Sequence, residues 1–461
     1  MLKLKKEKLL EGSVGKTIIR LAWPMLFGML GMVAFNLADT YFVGMLGERE
    51  LAAMGFTLPV AMVVHSIAMG LGIGTSAVVS RAIGQGDHHK VQRLTTDALL
   101  LSFALVVIFC LAGLIFMDPL FRLLGAKADL LPLIKSYMTI WFIGVPFVVI
   151  PMVGNNAIRA TGDTKTPAVI MMVAIIANLI LDPLLIFGWG PIPRMELTGA
   201  ALATLLSRAI TMSAALWILG KREKMITLER VPFREVLASW KKVGYIGGAA
   251  ALTNLVMPVS LGVITRLVAG YGESAVAAFG VSGRIEMFAI IPVFAVGAVL
   301  TPFIGQNWGA GKPERVLSAI KFSNRVSLAW CGLVFVALVF VARPLASVFN
   351  DSPRVIELIT RYLWIVSISY GFQGILRLSG AAFNALHKPI PAAVISILRM
   401  VVLYIPLALL GSELFQLDGI YGAATISNLV AGGIAILWLR HSIKNDKSMS
   451  LAPAQPVKEM K

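Results

Sequence analysis

Twelve apolar runs of helix length recur along this sequence between residues 17 and 439, and no other feature constrains the fold as strongly. About 20 mainly apolar residues cross the hydrocarbon core as a helix, because each backbone amide is then satisfied inside its own segment. The runs lie near 17–46, 51–80, 94–117, 131–158, 166–188, 197–219, 236–270, 276–303, 318–341, 355–383, 389–411 and 418–439. None shows the alternating pattern of a barrel strand. The sequence therefore predicts an all-α polytopic membrane protein with 12 transmembrane helices. Composition agrees: 57% hydrophobic and 14% charged residues are far from the balance of a soluble chain. The opening MLKLKKEKLLEGSVGK is basic and lacks a small-residue cleavage site, so it reads as an amphipathic cytoplasmic lead-in.

The formal net charge of +17 would suggest nucleic acid in a soluble chain. Here the positive-inside rule explains it and no nucleic-acid partner is expected. Most of the 41 Lys and Arg fall in the first 20 residues, 81–93, 159–165, 221–242, 312–325, Lys388 and the tail from Arg440. These blocks alternate with the spans so that both termini are cytoplasmic, in a multi-pass protein of the cytoplasmic (inner) membrane. Cys110 and Cys331 sit in apolar runs and read as packing residues.

The widest polar interruption, 220–243, falls at the midpoint and reads as a cytoplasmic linker. An internal repeat supports the division. Leu51-Ala-Ala-Met-Gly55 matches Val276-Ala-Ala-Phe-Gly280 at an offset of 225 residues. The same offset pairs Gly72 with Gly297, Gly84 with Gly309 and Gly86 with Gly311, without a gap. Two six-helix lobes follow: 1–231, carrying the cation site, and 232–461, ending in a basic cytoplasmic tail. Six spans per half give parallel repeats, related by an axis along the membrane normal and flanking a central cleft.

Charge placement breaks the repeat. The first half carries Asp39 and Asp182 inside its spans, and the position opposite Asp39 is Ile264. A carboxylate in a transmembrane segment is costly and marks a pathway or relay. Asn178 and Asp182 are four residues apart, on one helical face, and Pro183 frees a carbonyl one turn earlier. Thr204 lies in the sixth span, with Thr198 closer to its outer end, and Asn36 precedes Asp39 by three residues. Pro24 offers a bend in the first span. Two carboxylates, an amide and a hydroxyl suit Na⁺, or a coupled pair sharing a proton, or a hydrogen-bond cluster that joins helices. In the second half Glu286 reads as locally neutralised by Arg284. Arg208, Arg266, Arg377 and Arg399 read mainly as snorkelling side chains.

No phosphate-binding GxxxxGK[ST] loop and no HExxH, CxxC or GxSxG pattern occurs, so neither ATP coupling nor an enzyme is expected, and no cofactor or resident metal.

These residues together resemble the multidrug and toxic compound extrusion (MATE) family over essentially the whole chain. The resemblance is carried by Asn36-Leu-Ala-Asp39-Thr-Tyr-Phe-Val-Gly44, Leu51-Ala-Ala-Met-Gly55, Gly84-Gln-Gly86 and Arg159-Ala-Thr-Gly162-Asp-Thr-Lys-Thr-Pro167. Asn178 with Leu181-Asp182-Pro183, and Gly199-Ala-Ala-Leu-Ala-Thr204, complete it. The family implies a V-shaped pair of six-helix lobes, monomeric in the bilayer. It implies export of a small cationic or amphiphilic molecule in exchange for H⁺ or Na⁺. The NorM-like branch carries acids in its seventh and tenth spans, where this chain has Met257-Pro258-Val259 and Gly371-Phe372-Gln373. The departure favours the DinF-like branch, whose coupling site lies in the first lobe. That likeness carries Asp39, Asn178, Asp182 and Thr204 over as the cation or proton site, with Asn36 and Pro24 as supporting or gating positions. The wider superfamily also includes flippases of lipid-linked precursors, an alternative that predicts a cationic cavity for phosphate.

Overall fold

A computed structural model describes residues 9–45, 48–126, 129–188, 191 and 193–445; side chains at 36–41, 43–44 and 48–52 lie outside the description. Among the described residues there are helices and connections and no strands. In chain order the helices are α1 Val14–Gly44, α2 Glu48–Gln85, α3 His88–Ile115, the short α4 Met117–Leu123, α5 Leu131–Ala160, α6 Lys165–Phe187 and α7 Glu196–Trp217. The second half continues with α8 Phe233–Ala269, α9 Glu273–Gly309, α10 Pro313–Ser347, α11 Pro353–Ser367, α12 Tyr370–Ala385, α13 Pro389–Ile397 and α14 Ile405–Lys444. π-helical turns at Ile218–Arg222 and Leu398–Tyr404 extend α7 and join α13 to α14.

Among the described residues ten helices are long and apolar enough to cross a membrane, and α11 with α12, bent by 55°, makes an eleventh. Pro389–Lys444 is a run of 56 residues. At 1.5 Å per residue it would reach roughly 84 Å, far beyond a hydrocarbon core of about 30 Å. Its continuity breaks at Gln416, with φ 54° and ψ −134°, so it holds two crossings. Gly411 and Gly419 meet backbone to backbone across that reversal. The architecture thus accommodates the twelve crossings expected from the sequence.

Local sequence explains where helices start and stop. Asp87 accepts a hydrogen bond from the Lys90 amide at 2.9 Å and caps α3, while Pro313, Pro353 and Pro389 occupy first-turn positions where a missing N–H costs nothing. The repeat is visible in the helix ends. Gly86 and Gly311 both have positive φ, +81° and +69°. Behind them the amides of Asp87 and Lys312 return to the carbonyls of Ala82 and Asn307, the pattern of a left-handed C-terminal cap. Gly162, with φ +88°, and His387, with φ +61°, stand at the same 225-residue offset, so the second copy builds this turn without glycine.

The described residues form two compact units. One comprises Trp23–Ile83 and Asp87–Ala251; the other runs from Leu252 onward and takes in Gly84–Gly86 and the segment preceding Trp23. In the first unit, α2 meets the start of α8 through glycine. A Cβ on Gly70 would lie 2.3 Å from the Gly247 carbonyl oxygen, and one on Gly74 would lie 2.5 Å from that of Val243. This small-xxx-small spacing lets two membrane helices touch at the backbone.

The linker before α8 is tied down rather than loose. The Lys224 carbonyl accepts from Gln92 at 2.9 Å, the Thr227 amide donates to Thr96 Oγ1 at 3.0 Å, and the Glu229 carbonyl accepts from Arg93 at 3.1 Å. Arg222 bonds Asp163 and donates to Thr166 Oγ1 at 3.0 Å, so the turn before α6 is clamped to the end of α7. In the second unit Arg315 collects the carbonyls of Leu9, Glu11 and Gly12, fixing the lead-in before α1.

Candidate functional site

The first-unit site is built where α1, α6 and α7 converge. Gly28 faces Ala168 and Gly31 faces Met172 and Ile175, so α1 and α6 run parallel in close contact. Gly199 on α7 sits against the backbone of Leu185, where a Cβ would lie 2.3 Å from the carbonyl oxygen. α7 therefore returns antiparallel directly beneath the outer end of α6. On that stretch of α6, Asn178 donates to Asp182 Oδ1 at 3.2 Å, and both residues are buried, 1% and 0% exposed. The i,i+4 spacing places the amide over the carboxylate. Pro183 stays inside α6 and leaves the Leu179 carbonyl without its usual helical donor.

A second contact sets the register of α1 against α7. The guanidinium of Arg208 lies 5.2 Å from the centre of the Phe35 ring. Position 39 is one turn beyond Phe35 on α1, and Thr204, half-buried, is one turn before Arg208 on antiparallel α7. Along α6, Asp182 is seven residues past Ile175, while position 39 is eight past Gly31 on parallel α1. Helical rise thus brings positions 39, 178, 182 and 204 to within about one turn of a common level. Pro24 is half-buried inside α1, which continues through it. The side chains of Asp39 and Asn36 lie outside the described residues. Among the described residues no group of three His, Cys, Asp or Glu is arranged to hold a metal.

The second unit holds a polar cluster whose members are far apart in sequence. Glu286 on α9 accepts from Tyr362 Oη at 2.7 Å and from Gln373 Nε2 at 2.8 Å. This corrects the reading of Glu286 as a partner of Arg284. Residues two apart on a helix point to different faces, and Arg284 is exposed. Tyr362 lies inside α11 and Gln373 in the first turn of α12, on either side of the 55° break. Ser369, at that break, accepts from Asn428 Nδ2 at 2.9 Å. Non-helical backbone at membrane depth survives where protein satisfies it: here Thr425 Oγ1 donates to the Ile365 carbonyl at 2.8 Å and Ser327 Oγ to that of Gly371 at 3.0 Å.

Arg377, one turn past Gln373, does not snorkel. Its guanidinium lies 4.8 Å from the Phe294 ring centre and 3.4 Å from Met257 Sδ. Arg399 lies in the π-helical turn, within electrostatic range of both Arg377 and Glu286. Neither arginine makes an ion pair among the described residues. An insertion cost of about 2.5–3.5 kcal/mol for each such charge makes their retention informative. Sequence alone gave no sign that these arginines and Glu286 share a neighbourhood.

The MatE family model matches residues 24–184 and 249–410, well over half of the chain. A protein named FAD transporter from Shewanella oneidensis is 42% identical over 435 residues, covering 94% of this chain and 96% of that one. The multidrug export protein MepA of Staphylococcus aureus is 26% identical and covers 93% of this chain and 94% of its own length. Among solved structures, the Vibrio cholerae MATE transporter VcmN in its bent form superposes with a TM-score of 0.89 at 32% identity, over 95% of this chain and 98% of that one. A MOP superfamily transporter from Pyrococcus furiosus, described by a reverse polarity of its binding pocket, gives a TM-score of 0.87 at 27% identity, over 97% and 99%.

Proposed function

This chain belongs to the MatE family of membrane transporters, and on that premise we propose that it exports a flavin dinucleotide or a molecule of similar chemistry by ion-driven antiport. One observation carries the substrate: the 42% identity to a FAD transporter, which extends over 94% of this chain. Arg377 and Arg399, partly buried in the spans of the second unit, support it, since they suit a substrate with a diphosphate better than a cation. A second reading, export of cationic or amphiphilic drugs, is supported by the 26% identity to multidrug exporters and by the acids of the first unit.

In the proposed cycle H⁺ or Na⁺ binds at Asp39 and Asp182, with Asn178 and Thr204 completing the oxygen set. The buried Asn178–Asp182 hydrogen bond supports this placement, as does the close approach of α1 to α6 at Gly28 and Gly31. Loading the site removes charge between α1 and α6 and shifts the balance of conformers toward release of substrate outside. Unloading on the other side resets the protein. Asn36 orients the acid on α1, and Pro24 supplies its bend. The chain works as a monomer in the cytoplasmic membrane, with both termini in the cytosol.

The test is efflux of FAD from proteoliposomes under an imposed pH or Na⁺ gradient, with ethidium run in parallel. FAD movement under one gradient, lost in Asp182→Asn, is the expected result and identifies the ion. Ethidium movement without FAD would transfer the proposal to the multidrug reading. Movement of neither would refute both and bring lipid-linked diphosphates forward as substrates.

A further inference from the structure

Arg377 and Arg399 are the unexplained charges of the second unit. Both are partly buried, on spans well away from the chain's cytoplasmic basic blocks. Glu286 would be the obvious counterion, yet its hydrogen bonds go to the neutral donors Tyr362 and Gln373, and it makes no ion pair with either arginine among the described residues. Arg377 instead lies against Phe294 and reaches Met257 Sδ, a weak acceptor, so most of its N–H donors remain for a stronger one. Arg399 sits on a π-helical turn of seven residues. Such a turn widens the helix locally, exchanging regular backbone bonding for a shifted side chain, and is common at functional positions. Two guanidiniums carry the charge of a diphosphate diester with opposite sign, and each matches phosphate oxygens with a planar fork. Phe294 adds an aromatic face beside that fork, suited to a flat heterocycle.

We propose that Arg377 and Arg399, with Phe294, form an anion subsite in the second unit that holds the diphosphate of a substrate joined to an aromatic or apolar group. The assignment deepens the flavin-dinucleotide reading and rests on it for the soluble source of that chemistry. A lipid-linked diphosphate would present the same oxygens, and the test separates the two. The subsite is distinct from the acid site of the first unit, so substrate and coupling ion are held by different halves of the chain.

The experiment measures binding to the purified full chain in lipid nanodiscs. The ligands are FAD, riboflavin, inorganic pyrophosphate and a short-chain polyprenyl diphosphate. Wild type is compared with Arg377→Gln, Arg399→Gln and Arg377→Lys. The expected result is that the ratio of FAD to riboflavin affinity falls at least tenfold in each glutamine variant, and less in Arg377→Lys, which keeps charge but loses the fork. If Arg399 served only as a counterion to Glu286, its substitution would lower the melting temperature and leave that ratio unmoved, which would overturn its assignment. Wild-type FAD binding that survives both glutamine substitutions would overturn the subsite while the flavin reading stands. Pyrophosphate or polyprenyl diphosphate binding without FAD binding, lost in the variants, would uphold the subsite and refute the flavin reading. Absence of binding by every diphosphate would overturn the subsite. Should the glutamine variants fail to fold, phenylglyoxal labelling of the wild type decides. Pyrophosphate is expected to protect Arg377 and Arg399 at least fivefold, and equal labelling with and without it refutes the proposal.

Discussion

At the scale of single residues, the acids and arginines of the spans are the chain's most costly features, and they are divided between its two units. Asp182 is fully buried, and Asn178 supports it from one turn away. Replacing Asp182 by Asn keeps the shape and removes the charge. The expected outcome is at least a tenfold loss of gradient-driven efflux with an unchanged or slightly raised melting temperature, because a buried carboxylate costs more than a buried amide that keeps its hydrogen bond. A collapse of the folded state instead would mark Asp182 as structural, read by a thermal melt in detergent. This pair was legible in the sequence because its partners are four residues apart on one helix. The Glu286 cluster was not, since Tyr362 and Gln373 are 76 and 87 residues away and no local period announces them. Arg377 was misread for the same reason: Phe294, which holds it, belongs to another helix.

At the scale of elements, the length and order of the spans were legible in hydropathy, and their breaks were not. Prolines 24, 59, 183 and 258 all lie inside continuous helices, where neighbours tolerate the missing bond. The real break, between α11 and α12, falls at Ile368 and Ser369, with no proline near it, because its cause is tertiary. The repeat does make an element-scale prediction. His387 occupies a left-handed position that its counterpart fills with Gly162. A side chain there costs about 1–2 kcal/mol, so His387→Gly should raise stability by about 1 kcal/mol and Gly311→Ala should lower it by a similar amount. Paired thermal melts would check both, and shifts of the same sign would refute the argument. The α2–α8 contact predicts a larger effect. Gly70→Leu must push apart two backbones that touch, and a loss of about 1–3 kcal/mol is expected, with lower yield of folded protein in the membrane. Leu at Gly248, where a Cβ meets nothing within 4 Å, is the control and should be tolerated.

At the scale of the whole molecule, the distribution of charge predicts how the chain sits in the bilayer. His89, Gln92 and Arg93 at the start of α3 bond to residues 224–229 of the linker, so these two segments lie on one side of the membrane. Both are rich in Lys and Arg, so the positive-inside rule predicts that this side is the cytosol. The connections before α7 and α11 are separated from the linker by odd numbers of crossings, so they are expected to face outward. Cys110 and Cys331 are both buried, which leaves little native reactivity against an added thiol. A membrane-impermeant maleimide applied to intact cells should therefore label Glu196→Cys and Arg354→Cys, and should label His88→Cys and Arg230→Cys only after lysis. The four positions test one count of crossings. A single inversion would place an error in the hairpin that carries the inverted position. Inversion of all four would reverse the orientation, and the proposed coupling through Asp39 and Asp182 would then be driven from the opposite face.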